Sequence, residues 1–215
     1  MPSRSTILER IHSALRTATP QPPPPGDGAL FDPISPLELL PRFESELLAL
    51  NGEFFRAVDW QHAHDWVKRL AEKHELRRIV TAPVADAMEA GRVIQSRALS
   101  GDKDCGKNLA EVDLGITVCD CLIARTGTVV LTAQSGFGRA LSILPPAHLV
   151  VARRSQLVGD LSDAFHLLYA RYHQSWPSMI TFITGPSRTS DIEKILILGA
   201  HGPKKLAVLL LDFES

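Results

Sequence analysis

An α/β fold with a mainly parallel sheet is what this sequence predicts, and three observations predict it. Short runs of β-formers alternate with amphipathic helical stretches from residue 37 onward, as in βαβ units. The C-terminal run Leu206-Ala207-Val208-Leu209-Leu210-Leu211 is apolar throughout, as a central strand covered on both faces should be. At 215 residues and 45% hydrophobic, the chain suffices for one such domain with a sizeable core and an arm, but not for two full domains.

The elements follow in order. Ile7, Leu8, Ile11 and Leu15 recur at helical spacing, so a short amphipathic helix runs to about Arg16, capped by Ser3 or Ser5. Thr19 to Gly28 is a polyproline-type spacer, which makes residues 1–35 an arm and residues 36–215 the compact domain. Leu37, Leu40, Phe43 and Leu47 mark a helix that stops at Asn51-Gly52. Glu53 to Val58 reads as a strand, and Asp59 caps a helix whose inner stripe is Trp60, Ala63, Val67 and Leu70. Arg78 to Thr81 is the next strand, while Met88 to Ala110 gives no clear period. Strands return at Val112–Val118, Cys121–Ala124 and Thr128–Thr132, the last two joined through a tight turn or bulge at Arg125-Thr126-Gly127. His148 to Ala152 is a buried strand, Leu161, Phe165, Leu168 and Tyr172 form a helix stripe, and Met179 to Ile183 is a further strand.

Composition excludes several classes of function. The net charge of −1 offers no excess of Lys and Arg for nucleic acid or a membrane surface. Three cysteines without framework spacing suit a reducing compartment. There is neither a secretory h-region nor a run of about 18 apolar residues, so a cytoplasmic protein without membrane insertion is expected.

The most informative stretch is Thr184-Gly185-Pro186-Ser187-Arg188-Thr189-Ser190-Asp191-Ile192-Glu193. The pattern predicts a strand that turns through glycine into a helix, with Ser190 and Glu193 spaced as a capping box. A helix opened this way presents free N–H groups and positive potential to an anion, and Arg188 adds a guanidinium suited to carboxylate or phosphate. Gly-Pro-Ser is also ordinary turn chemistry, and a serine before a helix is often only a cap.

Taken together, Gly115-Ile116-Thr117, Ala124-Arg125-Thr126-Gly127-Thr128, Leu144-Pro145, the Gly185 to Glu193 stretch and Gly199-Ala200-His201-Gly202-Pro203 resemble the lactate-utilisation (LUD) domain family in its short standalone form. The resemblance covers roughly residues 36 to 215. It implies a three-layer α/β/α Rossmann-like fold akin to the sugar-phosphate isomerase and coenzyme A transferase-like superfamily. It further implies a part in bacterial oxidation of L-lactate to pyruvate beside iron–sulfur partner proteins. The family usually carries an acidic residue before Thr-Gly-Thr; here Arg125 reverses that charge and disposes the turn further toward an anion.

Lactate oxidation moves two electrons, yet the chain has no ferredoxin-type cysteine run and no complete dinucleotide fingerprint, since Ser135-Gly136-Phe137-Gly138 lacks the third small residue. Redox centres are therefore expected in partners, and the cofactor is unknown. No metal is expected: His62 and His64 point to different helix faces, and Cys119 and Cys121 read as buried small apolar residues. The expected anion pocket comprises Arg125, Thr126, Gly127, Thr128, Gly185, Ser187, Arg188 and Thr189, with His201 or Asp191 as candidate base. Ligands of open α/β sheets collect at the strands' carboxyl ends, and His201 reaches that rim only if its strand runs antiparallel to its neighbours. Whether the chain itself catalyses stays open. A free-standing sugar-phosphate isomerase or acyl-transfer enzyme and a non-catalytic assembly module are the rival readings.

Overall fold

The computed structural model describes residues 4–16, 31–98, 109–189, 197–198 and 202–213. The chain divides into two units, Met1–Asp32 and Pro33–Ser215. In the first, helix α1 (Arg4–Arg16) forms where the apolar period predicts it, with Ile7, Leu8 and Ile11 exposed. The expected polyproline spacer lies outside the described residues.

In chain order the second unit contains α2 (Leu39–Ala49), β1 (Glu53–Ala57), α3 (Trp60–Lys73), β2 (Ile79–Thr81), α4 (Ala85–Gly91), β3 (Arg97–Ala98), β4 (Leu114–Val118), β5 (Cys121–Ile123) and β6 (Thr128–Thr132). It continues with β7 (Ala147–Arg153), β8 (Leu157–Val158), α5 (Leu161–Tyr172), β9 (Ile180–Ile183), β10 (Arg188–Thr189), β11 (Ile197–Leu198) and β12 (Lys205–Leu211). Six strands form one wholly parallel sheet in the order β1-β12-β7-β4-β2-β3. The predicted α/β class, with its mainly parallel sheet, is therefore the observed one. Its antiparallel pairs are gathered into a second sheet, β8-β5-β6-β9, and a small hairpin, β10-β11.

Strand β12 explains how the layers stack. Side chains alternate across a strand, so an unbroken apolar run must be covered twice. Ala207, Leu209 and Leu211 pack with Ala63, Val67 and Leu70 of α3 on one face. Leu206, Val208 and Leu210 pack on the other with Leu40, Phe43 and Leu47 of α2 and with Leu122, Val129 and Leu131 of the second sheet. The far face of that second sheet, Cys121, Ile123 and Val130, is closed by Ala164 and Leu168 of α5.

Local chemistry sets the helix ends. Asp59 accepts from His62 N at 2.7 Å and starts α3 as its N-cap. Asn51 takes a left-handed φ of 62° just after α2.

Three expectations are corrected. Leu37 precedes α2 and is 82% exposed, so the stripe begins at Leu40. On α5 the buried positions are Ala164 and Leu168, whereas Leu161 and Phe165 are about half exposed; Phe165 lies one residue round the helix and meets Phe182 at the surface with ring centroids 5.6 Å apart. Finally, the glycine turn after β9 leads into strand β10, so Arg188 and Thr189 sit in a hairpin rather than in a loop before a helix. The predicted capping box at Ser190 and Glu193 lies outside the described residues.

Candidate functional site

A cavity of ≈ 270 Å³ opens at the amino ends of β7 and β12, between the parallel sheet and β9. Its walls are His148 and Leu206 from the sheet, Thr181 to Ile183 from β9, Thr184 to Ser187 from the following turn, Gly202-Pro203, and Ser142-Ile143. This is the opposite rim from the one expected. The Gly185 turn does leave the carboxyl end of a strand, but β9 belongs to the second sheet and runs antiparallel to β6. Because β12 is parallel to both neighbours, the segment entering it lies at the amino edge, and the condition set for His201 to reach the carboxyl rim is not met. At the carboxyl rim Arg153 holds Asp86 with two hydrogen bonds of 2.8 and 2.7 Å, and Arg154 reaches Asp212 at 3.3 Å.

Backbone geometry builds the cavity mouth. Gly185 has φ 86°, and a Cβ there would stand 3.0 Å from Leu50 Cβ, so the turn excludes a side chain. Ser187 N donates to Pro203 O at 2.9 Å, which staples the turn after β9 to the turn before β12. The Thr126, Thr128 and Thr184 hydroxyls form a chain with two links of 2.7 Å. That chain ties the Thr-Gly-Thr turn to the cavity's rim without placing Thr126 or Thr128 among its walls. Gly127, with φ 60°, is pressed under α2: a Cβ would fall 2.6 Å from Leu47 N.

The expected pocket residues are thus partly brought together. Gly185 and Ser187 line the cavity. Arg188 is exposed on β10, with Nη2 3.7 Å from where a Gly185 Cβ would stand, and Thr189 follows it in that strand. Arg125 is elsewhere: its Nε donates to Asp160 Oδ2 at 2.8 Å, at the N-cap of α5, and it borders a separate groove with Arg42 and Ser45. The charge reversal at Arg125 is therefore matched by a local carboxylate rather than left for a ligand in this cavity. Asp191 and His201 lie outside the described residues.

His148 was legible only as part of a buried strand, and it is the cavity's most telling wall. It is 1% exposed, its Nε2 is hydrogen-bonded to Thr117 Oγ1 at 2.8 Å, and its Nδ1 has no partner among the described residues. Burial alone drives its pKa down to about 3, so the ring is neutral at physiological pH. The register explains the contact: His148 faces Gly115 on β4, which has no side chain, so the ring can lean to Thr117 on the same face. A histidine inside the otherwise apolar run Ala147–Ala152 was the signal available in the sequence.

A second buried polar group lies elsewhere. Asp120 accepts from Ser135 Oγ at 2.6 Å, Arg171 Nη1 at 2.7 Å, Tyr172 OH at 2.7 Å and Thr132 N at 3.0 Å. Its neighbours Cys119 and Cys121 are free buried thiols, as expected, and burial raises both, Cys121 to about 12. Among the described residues no cluster of three or more His, Cys, Asp or Glu could hold a metal ion, and no helix is long and apolar enough to cross a membrane. His62 packs edge-on against Phe55, while His64 donates to Glu89 O at 3.1 Å, so the two diverge.

Comparison with known proteins adds the family. The model of the LUD domain matches residues 40–211. Lactate utilization protein C of Halalkalibacterium halodurans is 32% identical over 155 residues, 68% of this chain and 67% of that protein. Lactate utilization protein C 1 of Bacillus mycoides is 36% identical over 115 residues, 52% of this chain and 49% of that protein. The Bacillus subtilis protein C is 35% identical over 108 residues, 49% and 45% of the two chains. The chain thus spans about half the length of most curated relatives it matches. The crystal structure of a DUF162 family protein from Deinococcus radiodurans superposes with a TM-score of 0.63 at 23% identity, covering 83% of this chain and 99% of that one, and so shares the fold. With its domain matched over residues 40–211, this chain belongs to the LUD domain family.

Proposed function

We propose that this chain acts in lactate utilisation as a cytoplasmic binder of a small carboxylate, with iron–sulfur partner proteins supplying the redox centres. The names of its relatives support the process. The observation that carries the ligand class is the cavity between the stapled turns Gly185–Ser187 and Gly202-Pro203, with the Arg188 guanidinium beside Gly185. A guanidinium beside a glycine that lines a mostly apolar cavity suits a small acid whose carboxylate stays near the rim while its body enters. At ≈ 270 Å³ the space lies just below the range of about 300–1,000 Å³ typical of drug-sized ligands, which favours a small metabolite.

The test is calorimetric titration of the full chain with L-lactate and pyruvate. At least one acid should bind, and Arg188→Ala should weaken it by about 1.5–3 kcal/mol, the range for a hydrogen bond to a charged group. Binding of neither acid, or equal affinity in the variant, overturns the carboxylate reading. Pull-down of the iron–sulfur partners with the full chain tests the assembly separately.

A further inference from the structure

We infer that His148 is held as its neutral Nδ1–H tautomer by Thr117, and that this N–H is the cavity's donor to a carbonyl-type acceptor oxygen of the ligand. The inference rests on the proposed cavity and names what its interior selects.

Two hydrogens have to be placed. Thr117 Oγ1 and His148 Nε2 share one hydrogen bond of 2.8 Å, and either could donate. Thr117 is fully buried and does not line the cavity, so among the described residues His148 is the acceptor within reach of its hydroxyl hydrogen. If Nε2 carried the proton instead, that hydroxyl hydrogen would be stranded inside the sheet, out of a ligand's reach. With Thr117 donating, the remaining hydrogen sits on Nδ1, on a residue that does line the cavity. Only this arrangement gives every hydrogen an acceptor once a ligand enters. An unpaired N–H in an apolar chamber then discriminates for an acceptor oxygen and against an aliphatic group.

The lock is built by the sheet. Thr117 and His148 lie on adjacent parallel strands, with Gly115 opposite the ring, and a Cβ on Gly115 would come within 2.4 Å of Leu141 O. Leu206 flanks the ring from the other side through its register with His148. The imidazole is thus fixed by packing as well as by the threonine.

The experiment is nitrogen NMR of the imidazole rings in labelled full chain, with pyruvate and the uncharged ketone hydroxyacetone as probes. The ring lost in His148→Leu is the assigned one, and that ring should show a protonated Nδ1 whose proton shifts and becomes protected on adding a probe. In titrations, His148→Leu should lose about 3- to 10-fold in affinity, the worth of one neutral hydrogen bond, and His148→Asn, whose amide nitrogen can occupy the Nδ1 position, should recover most of it. Thr117→Val should mix the tautomers. A ring protonated on Nε2 in the wild type overturns the inference, as does an Nδ1 proton indifferent to both probes. If hydroxyacetone moves the proton while neither lactate nor pyruvate binds, the carboxylate reading falls and the donor assignment stands. Loss of affinity in Arg188→Ala but not in His148→Leu, with both variants folded by circular dichroism, leaves the carboxylate reading standing and removes this one.

Discussion

His148 and Asp120 are equally hidden, at 1% and 0% exposure, yet they are treated in opposite ways. Asp120 is met by four donors from β6, the turn after it and α5, so its charge is balanced and its lone pairs are used. His148 has one nitrogen bonded to Thr117 and the other without a partner among the described residues, and the residue lines a cavity. Burial by itself therefore does not mark a site. A saturated buried group fastens the fold, whereas a half-satisfied one beside open space is a group kept for something else.

Substitution separates the two most sharply. Asp120→Ala removes one acceptor from each of Ser135, Tyr172 and Thr132 N and leaves Arg171 without its carboxylate, and it should cost about 3 kcal/mol in urea unfolding, the low end for breaking a buried pair because Arg171 is 47% exposed. Thr117→Val combined with His148→Leu replaces a bonded pair by apolar groups and should stay within about 1 kcal/mol of the wild type. Equal losses in the two variants would erase the distinction.

Acid sharpens it next. The folded pKa of His148, near 3, lies below its ordinary value of 6.5, so the unfolded chain takes up a proton that the folded chain refuses. Its contribution is fully present above pH 6.5 and is lost as the pH falls toward 3, at up to about 1.4 kcal/mol per pH unit. Between pH 6.5 and 4.5 this group should remove roughly 2–3 kcal/mol, and His148→Asn should flatten that slope in unfolding curves. An unchanged slope would mean that the ring is hydrated in the folded state.

The smallest effect concerns the thiols beside Asp120. Burial holds Cys119 and Cys121 far above the range in which thiolates form at neutral pH. In a Cys105→Ser background neither thiol should react with a disulfide reagent at pH 8 until denaturant is added. Rapid native labelling would show that the Asp120 region opens in the folded state.

Much of the fold was legible. Period and caps located α2, α3, β1, β7 and β12, because each carries its own signal: Asp59 before an amphipathic stripe, Asn51-Gly52 at a helix end, an unbroken apolar run for a twice-covered strand. The segments misjudged were those whose neighbours decide. Phe165 looked like core but is half exposed, since the narrow seam on α5 is taken by Ala164 and Leu168. Arg188-Thr189 looked like a loop before a helix and pairs with Leu198 and Ile197.

The site divides along the same line. The sequence alone determined the two glycine-proline turns, the threonines around Gly127 and the family resemblance, because turn geometry is written in a few adjacent residues. It also determined that His148 would be buried in a strand. Only the tertiary structure decided that the turns are stapled at Ser187 and Pro203, that Arg125 is matched by Asp160, and that His148, bonded by Thr117, lines a cavity. Those pairings join residues that are distant along the chain, so they are set by strand order and register, and no local pattern of residues encodes a register.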